Sequence, residues 1–162
     1  GVLPPRRPAG RGVRPYRRGP RDVDGQRADR LPRAPSGDAH LVRLRAWQIN
    51  GCAYCLDMHW KDLRALGEKE QRLYSLDAWR ECPYYTDRER AALAWTEAVT
   101  TIGGHVPDAI YEEARAVLSE KELCDLTLAA AAINAWNRLS IAGRLVPGGY
   151  QPAAAQQAGA AT

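Results

Sequence analysis

Residues 50 to 59 read NGCAYCLDMH, with two cysteines three positions apart and a histidine four beyond the second. On a helix, steps of about 100° per residue bring Cys52, Cys55 and His59 within an arc of roughly 60°. Cys52 falls in the first turn, where unpaired backbone N–H groups and the helix dipole favour an anion. A thiolate is the anion those groups would stabilise. A free thiol titrates near about 8.5, whereas helix starts and CxxC settings reach roughly 3.5 to 7.5. A drop of about two units corresponds to about 2.7 kcal/mol. His59, one turn past Cys55, is placed to take the thiol proton directly or through a water. The second cysteine completes a redox cycle: peroxide oxidises one thiolate to a sulfenic acid, and its neighbour condenses with it to a disulfide.

Two other uses of the same residues compete with this one. Zinc takes four ligands, usually in two paired clusters; here Cys82, Cys124, His40 and His105 are scattered singly, so no metal is expected. The cysteines could also be buried structural thiols without chemistry; Cys82 and Cys124 read as structural thiols. Thioredoxin-type architecture is disfavoured because no βαβ pattern surrounds the motif. His105, in GGHVPD, reads as a loop or helix-entry residue. Trp47, Trp60, Trp79, Trp95 and Trp136 read as core or subunit-interface aromatics. Asn134, Asn137 and Arg138 read as polar contacts with a structural role.

The elements that must hold the motif are helical. Leu41, Leu44 and Trp47 recur at helical spacing from His40 to the Asn50-Gly51 pair. A second helix, from Gly51 or Cys52, presents Leu56, Leu63 and Leu66 inward and stops at Gly67. Residues 68–80 read as one amphipathic helix bearing Leu73, Leu76 and Trp79, closed by Cys82-Pro83. Thr86 and Glu89 make a capping box that opens a helix running to Gly103-Gly104, and 107–118 form a shorter one with Ile110, Ala114 and Val117 on one side. Ser119 and Glu122 cap a last helix over about 120–143, apolar nearly all round, which suits either a central core helix or one shared with another subunit. No segment alternates with period two. The expectation is an all-α domain of about six helices over residues 40–152, with loosening from Pro147 onward and a flexible tail at 153–162.

The chain has 162 residues and a net charge of +4. Residues 1–39 hold 10 Arg against 4 Asp, while 40–162 hold 13 Lys+Arg against 15 Asp+Glu. The basic excess therefore sits outside the helical region. With 7 Pro and 6 Gly in the same 39 positions, the first segment is expected to be a disordered basic low-complexity arm. It lacks an element that could read nucleic acid, and no nucleic-acid partner is expected. No apolar run reaches a membrane span and no secretory signal is visible, so a soluble cytoplasmic protein is expected.

The stretches INGCAYCLDMH and AINAWNRL, within a likeness extending over about residues 41–152, closely resemble the alkylhydroperoxidase AhpD-like branch of the carboxymuconolactone decarboxylase family. The resemblance implies an all-helical homo-oligomer, a trimer or hexamer. It implies reduction of hydroperoxides without a bound cofactor, and recycling by an external dithiol or disulfide reductant. By position, Cys55 resembles the peroxidatic cysteine, Cys52 its disulfide partner, and His59 the base or relay. Tyr54 stands where an aromatic or His is common, with packing the preferred role. The family's relay includes a glutamate twelve positions before the first cysteine, and His40 occupies that place here. A carboxylate there would hold the histidine as imidazolium; His40 is expected to relay a proton less well, with reduced activity. The rival functions are lactone or decarboxylase chemistry, as in cysteine-free members of the family, and a non-enzymatic oligomeric module whose site is silenced.

Overall fold

The structure, a computed structural model, describes residues 38–152. The tail 153–162 and all of the basic arm except residues 38 and 39 lie outside the described residues, and so do the expectations made for them. Among the described residues there are six α-helices and no strand: α1 Asp38–Asn50, α2 Ala53–Ala65, α3 Glu70–Tyr74, α4 Asp87–Thr100, α5 Asp108–Val117 and α6 Glu120–Ala142, with a 3₁₀ turn at Leu76–Ala78. The all-α expectation holds. None of these helices is long and apolar enough to cross a membrane.

Both capping boxes form. The Thr86 and Ser119 side chains accept the third backbone N–H of α4 and α6, and Glu89 and Glu122 reach back to the cap N–H groups. Hydrogen bonds from the Ser119 backbone and hydroxyl, joined by Arg88, hold the Glu122 carboxyl down at about 2. Helix α1 packs against α2, α4 and α6, and α4 packs against α5 and α6. Leu41, Leu44 and Trp47 enter one apolar cluster with Cys52, Cys55, Leu93 and Ile133. Val42, on the other side of α1, enters a second cluster with Ala92, Trp95, Ala114 and Leu126. Helix α1 thus contributes to both apolar clusters, and it carries the residues leading into the CxxC turn.

Two expectations need correction. Residues 68–80 are not one helix: α3 ends at Tyr74, capped by Ser75, and a 3₁₀ turn follows. Leu73, Leu76 and Trp79 are all buried, Leu73 from the helix and Leu76 from the turn. Leu66 does not face inward; it caps α2 beside the left-handed Gly67 and is 68% exposed. Of the two roles expected for α6, the exposure of Leu128, Leu139 and Ile141 at 50%, 63% and 47% is compatible with a helix shared with another subunit, while Leu123, Leu126, Ala130 and Ile133 face the core.

The segment after α6 is also firmer than its composition suggests. Arg144 turns the chain with φ 53°, and the following residues return to α2. There Gly148 N donates to Asp57 Oδ2 at 2.9 Å, and Lys61 Nζ donates to the carbonyls of Gly148 and Tyr150 at 3.3 and 3.2 Å. Loosening does not begin at Pro147.

Packing of this kind sets a contrast between two leucines. Leu93 is 0% exposed, so Leu93→Ala should destabilise the protein by about 2–5 kcal/mol. Leu66→Ala should stay within about 0.5 kcal/mol. Urea unfolding midpoints of the two variants check this, and equal costs would mean that Leu66 is covered.

Candidate functional site

The α1–α2 junction is closed by backbone hydrogen bonds. Gly51 adopts φ 66°, a left-handed conformation that a side chain resists. Gly51 N donates to Gln48 O and Cys52 N to Trp47 O, both at 3.2 Å, the paired bonds of a Schellman turn. Cys52 thereby belongs to both helices: it completes the end of α1 and serves as the N-cap of α2, its sulfur accepting from Cys55 N at 3.4 Å. The sulfur expected at the helix start is there. Cys52 and Cys55 are joined in a disulfide with Cα atoms 5.3 Å apart. Both are buried, at 1% and 4% exposure, so a bulky reductant cannot reach the bond without local opening.

A chain of side-chain amides runs behind the sulfurs. Asn50, the last residue of α1, donates both Nδ2 hydrogens, one to Asn134 Oδ1 at 2.9 Å and one to Asn137 Oδ1 at 2.8 Å. Asn134 Nδ2 donates onward to Thr100 Oγ1 and Ala130 O. Asn137 Nδ2 donates to Cys55 Sγ at 3.4 Å. Asn137 is fully buried; among the described residues no buried side-chain nitrogen or oxygen lacks a partner.

One turn beyond Cys55, the His59 ring lies flat against Trp47, with centroids 3.7 Å apart and planes 6° from parallel. Its Nδ1 pairs with Asp62 Oδ2 at 3.4 Å. Asp62 Oδ1 accepts from the Tyr150 hydroxyl at 2.6 Å. Burial works to raise the Asp62 carboxyl, but the hydrogen bonds from His59 and Tyr150 outweigh it and hold the group below its ordinary range. His40 is half-buried and interacts electrostatically with both His59 and Asp62. Burial, then the charges of Arg43 and His59, push its pKa down.

Of the four residues singled out from the sequence, Cys52 and Cys55 are bonded at the α1–α2 junction, His59 lies one turn further along α2, and His40, in the first turn of α1, interacts electrostatically with His59. Tyr54 packs against the first apolar cluster. Asp62 was missed, although its position three residues after His59 is a helical-neighbour spacing. Tyr150 carried no local signal, since 88 positions separate it from its partner. Asn137 was read as structural, and nothing in AINAWNRL points to a cysteine in another helix.

The model of the carboxymuconolactone decarboxylase family matches residues 28–98, which include His40, both motif cysteines and His59. An uncharacterized protein of Bacillus subtilis (strain 168), YdfG, is 48% identical over 103 residues, 63% of this chain and 70% of that protein. Another from Escherichia coli (strain K12), YnjA, is 29% identical over 87 residues, 54% of this chain and 48% of its own length. The crystal structure of a candidate antioxidant defence protein AhpD from Agrobacterium tumefaciens, itself of unknown function, is 37% identical, with a TM-score of 0.68 over 83% of this chain and 99% of that one. An uncharacterized peroxidase-related protein from Silicibacter sp. TM1040 has a TM-score of 0.64 at 22% identity, covering 72% of this chain and 62% of that one, and shares the fold. Taken with the helical architecture and the sulfur pair, these likenesses show that the chain belongs to the carboxymuconolactone decarboxylase family, in its AhpD-like branch.

Proposed function

We propose that the protein is a thiol-dependent hydroperoxide reductase. The observation that carries this reading is the Cys52–Cys55 disulfide at the start of α2, with His59 one turn on and paired to a carboxylate. The antioxidant description of the Agrobacterium relative agrees with it. In the forward step the Cys55 thiolate attacks the distal peroxide oxygen. An S–O bond forms, the O–O bond breaks, and the departing alkoxide takes a proton that His59 had drawn from the thiol. Cys52 then attacks the Cys55 sulfenic acid, giving the disulfide and water. An external dithiol supplies the two electrons that restore both thiols. The protein acts in the cytoplasm as a homo-oligomer, and the exposed apolar side chains of α6 suit a contact between copies.

Asp62 does the work that the resemblance sets at position 40. A carboxylate on Nδ1 fixes the tautomer and orientation of His59 and leaves Nε2 to exchange protons. Burial, then the charges of Arg43 and His59, push the His40 pKa down and so disfavour a second positive charge beside His59. The relay is relocated onto α2.

Reduced protein treated with one equivalent of peroxide should form the Cys52–Cys55 bond, and Cys52→Ser should accumulate a sulfenic acid at Cys55. Peptide mass mapping checks both. A protein that consumes no peroxide and stays fully reduced would end the peroxidase reading.

Asp62→Asn should slow peroxide consumption by about tenfold or more, a part of the roughly 100- to 10,000-fold that a positioned proton-transfer group contributes. Adding His40→Glu in that background should recover part of the loss, and stopped-flow rates decide it. Wild-type speed in Asp62→Asn would remove Asp62 from the relay.

Tyr150→Phe should cost about 1 kcal/mol of stability at pH 7 through one lost hydrogen bond. The Asp62 carboxyl sits below its ordinary value of 3.8 when folded. Its stabilisation is therefore whole above that pH and fades as pH falls through the lowered value. The gap between wild type and Tyr150→Phe should close on acidification, as read by thermal melts across pH. A constant gap would make Tyr150 a packing residue only.

A further inference from the structure

The amide behind Cys55 is oriented by its neighbours, and that orientation has chemical consequences. An Asn side chain offers a donor at one end and an acceptor at the other, and the hydrogen-bond network settles which way it faces. Asn50 Nδ2 can only donate, and it spends its two hydrogens on Asn134 Oδ1 and Asn137 Oδ1. Turning Asn137 over would set its NH₂ against that of Asn50, donor against donor, in a place where Asn137 is 0% exposed and no water can intervene. Asn137 therefore presents Nδ2 to Cys55 Sγ, at 3.4 Å. A hydrogen bond to an ionised acceptor is roughly twice as strong as one to a neutral acceptor. The same contact that is modest on the disulfide becomes strong when the sulfur is charged.

We propose that Asn137 is a catalytic residue whose Nδ2–H stabilises negative charge on Cys55 Sγ, and that Asn50 is the positioning residue that keeps the donor end turned to the sulfur. This rests on the thiol chemistry proposed above and adds to it the group that makes Cys55 the anionic sulfur. During recycling, a thiolate of the external dithiol attacks Cys52 Sγ, the S–S bond breaks, and Cys55 leaves with the electron pair as a thiolate held by Asn137. The second thiol of the donor then displaces Cys52 and closes the donor's own disulfide. The backbone N–H at the start of α2 acts on Cys52 instead, so the two sulfurs are stabilised by different groups.

The test reads the ionisation of Cys55 alone. In a Cys52→Ser background, the pH dependence of its reaction with a small aromatic disulfide is followed by mass on the Cys55 peptide, which sets aside Cys82 and Cys124. Asn137→Asp keeps the acceptor facing Asn50 but turns an oxygen to the sulfur. Asn50→Asp removes the donors that hold Asn137 in place. Each should raise the Cys55 midpoint by about one pH unit, leaving about a tenth as much thiolate at pH values well below the wild-type midpoint. With a Brønsted slope of about 0.4–0.5, the more basic thiolate is about threefold more nucleophilic. The variants should thus react about threefold more slowly well below the wild-type midpoint and about threefold faster well above their own, a crossing that general loosening of the fold does not produce.

Should either variant fail to fold, the reduced wild-type protein supplies the readout by NMR: the Asn137 side-chain amide protons should shift with the Cys55 midpoint. Unmoved midpoints in folded variants, or amide protons indifferent to Cys55 ionisation, overturn the proposal. Failure here with a Cys55 sulfenic acid still trapped would leave the peroxidase reading standing. A shifted midpoint without peroxide consumption would do the reverse.

Discussion

The reversal at Gly51 fixes the distance between everything on α1 and everything on α2. With φ at 66°, Gly51 lets the end of α1 and the cap of α2 share Cys52, and no loop residues remain to absorb a shift between the two helices. Trp47 meets His59 face to face because both lie about two turns or less from that point. Asn50 reaches the α6 amides for the same reason, and His40 comes into the field of His59. A Cβ at residue 51 would meet no neighbouring atom, so the demand for glycine is one of backbone conformation alone.

From that junction the site extends to two places in the C-terminal part of the described residues. On one side α6 supplies Asn137 to Cys55; on the other, the segment after α6 folds back to supply Tyr150 to Asp62. The charge on Asp62 is then supported from two sides, by His59 at Oδ2 and by Tyr150 at Oδ1. Moving the carboxylate from the preceding helix to the histidine's own helix makes the pair local. Three residues apart on α2, His59 and Asp62 need no tertiary register to meet, whereas a residue at position 40 must be brought there by the junction.

How much of this the sequence disclosed follows the range of the interactions. Capping boxes at Thr86 and Ser119, the stop at Gly67 and the face shared by Cys52, Cys55 and His59 are short-range, and each could be read directly. The break in residues 68–80 was missed because apolar residues recurring every three positions also fit an α-helix, as they do at Leu41, Leu44 and Trp47. The nearly apolar circumference of α6 fitted either a core helix or a shared one, and the exposure of Leu128, Leu139 and Ile141 is legible only in the folded chain. Contacts spanning more than 80 positions, Asn137 to Cys55 and Tyr150 to Asp62, have no local pattern, and only the folded chain discloses them.

The buried sulfur pair also constrains the order of events in the proposed cycle. A small peroxide needs access to one sulfur for one displacement, but a dithiol donor must approach Cys52, pass through a mixed disulfide and depart. Cys52 is the more deeply covered of the two, and its sulfur caps α2, so attack on it must disturb the first turn of that helix. Further along, Asp57, Lys61 and Asp62 tie α2 to residues 148 and 150. The first turn of α2 lies outside these ties, and the remainder, which carries His59, is held by them.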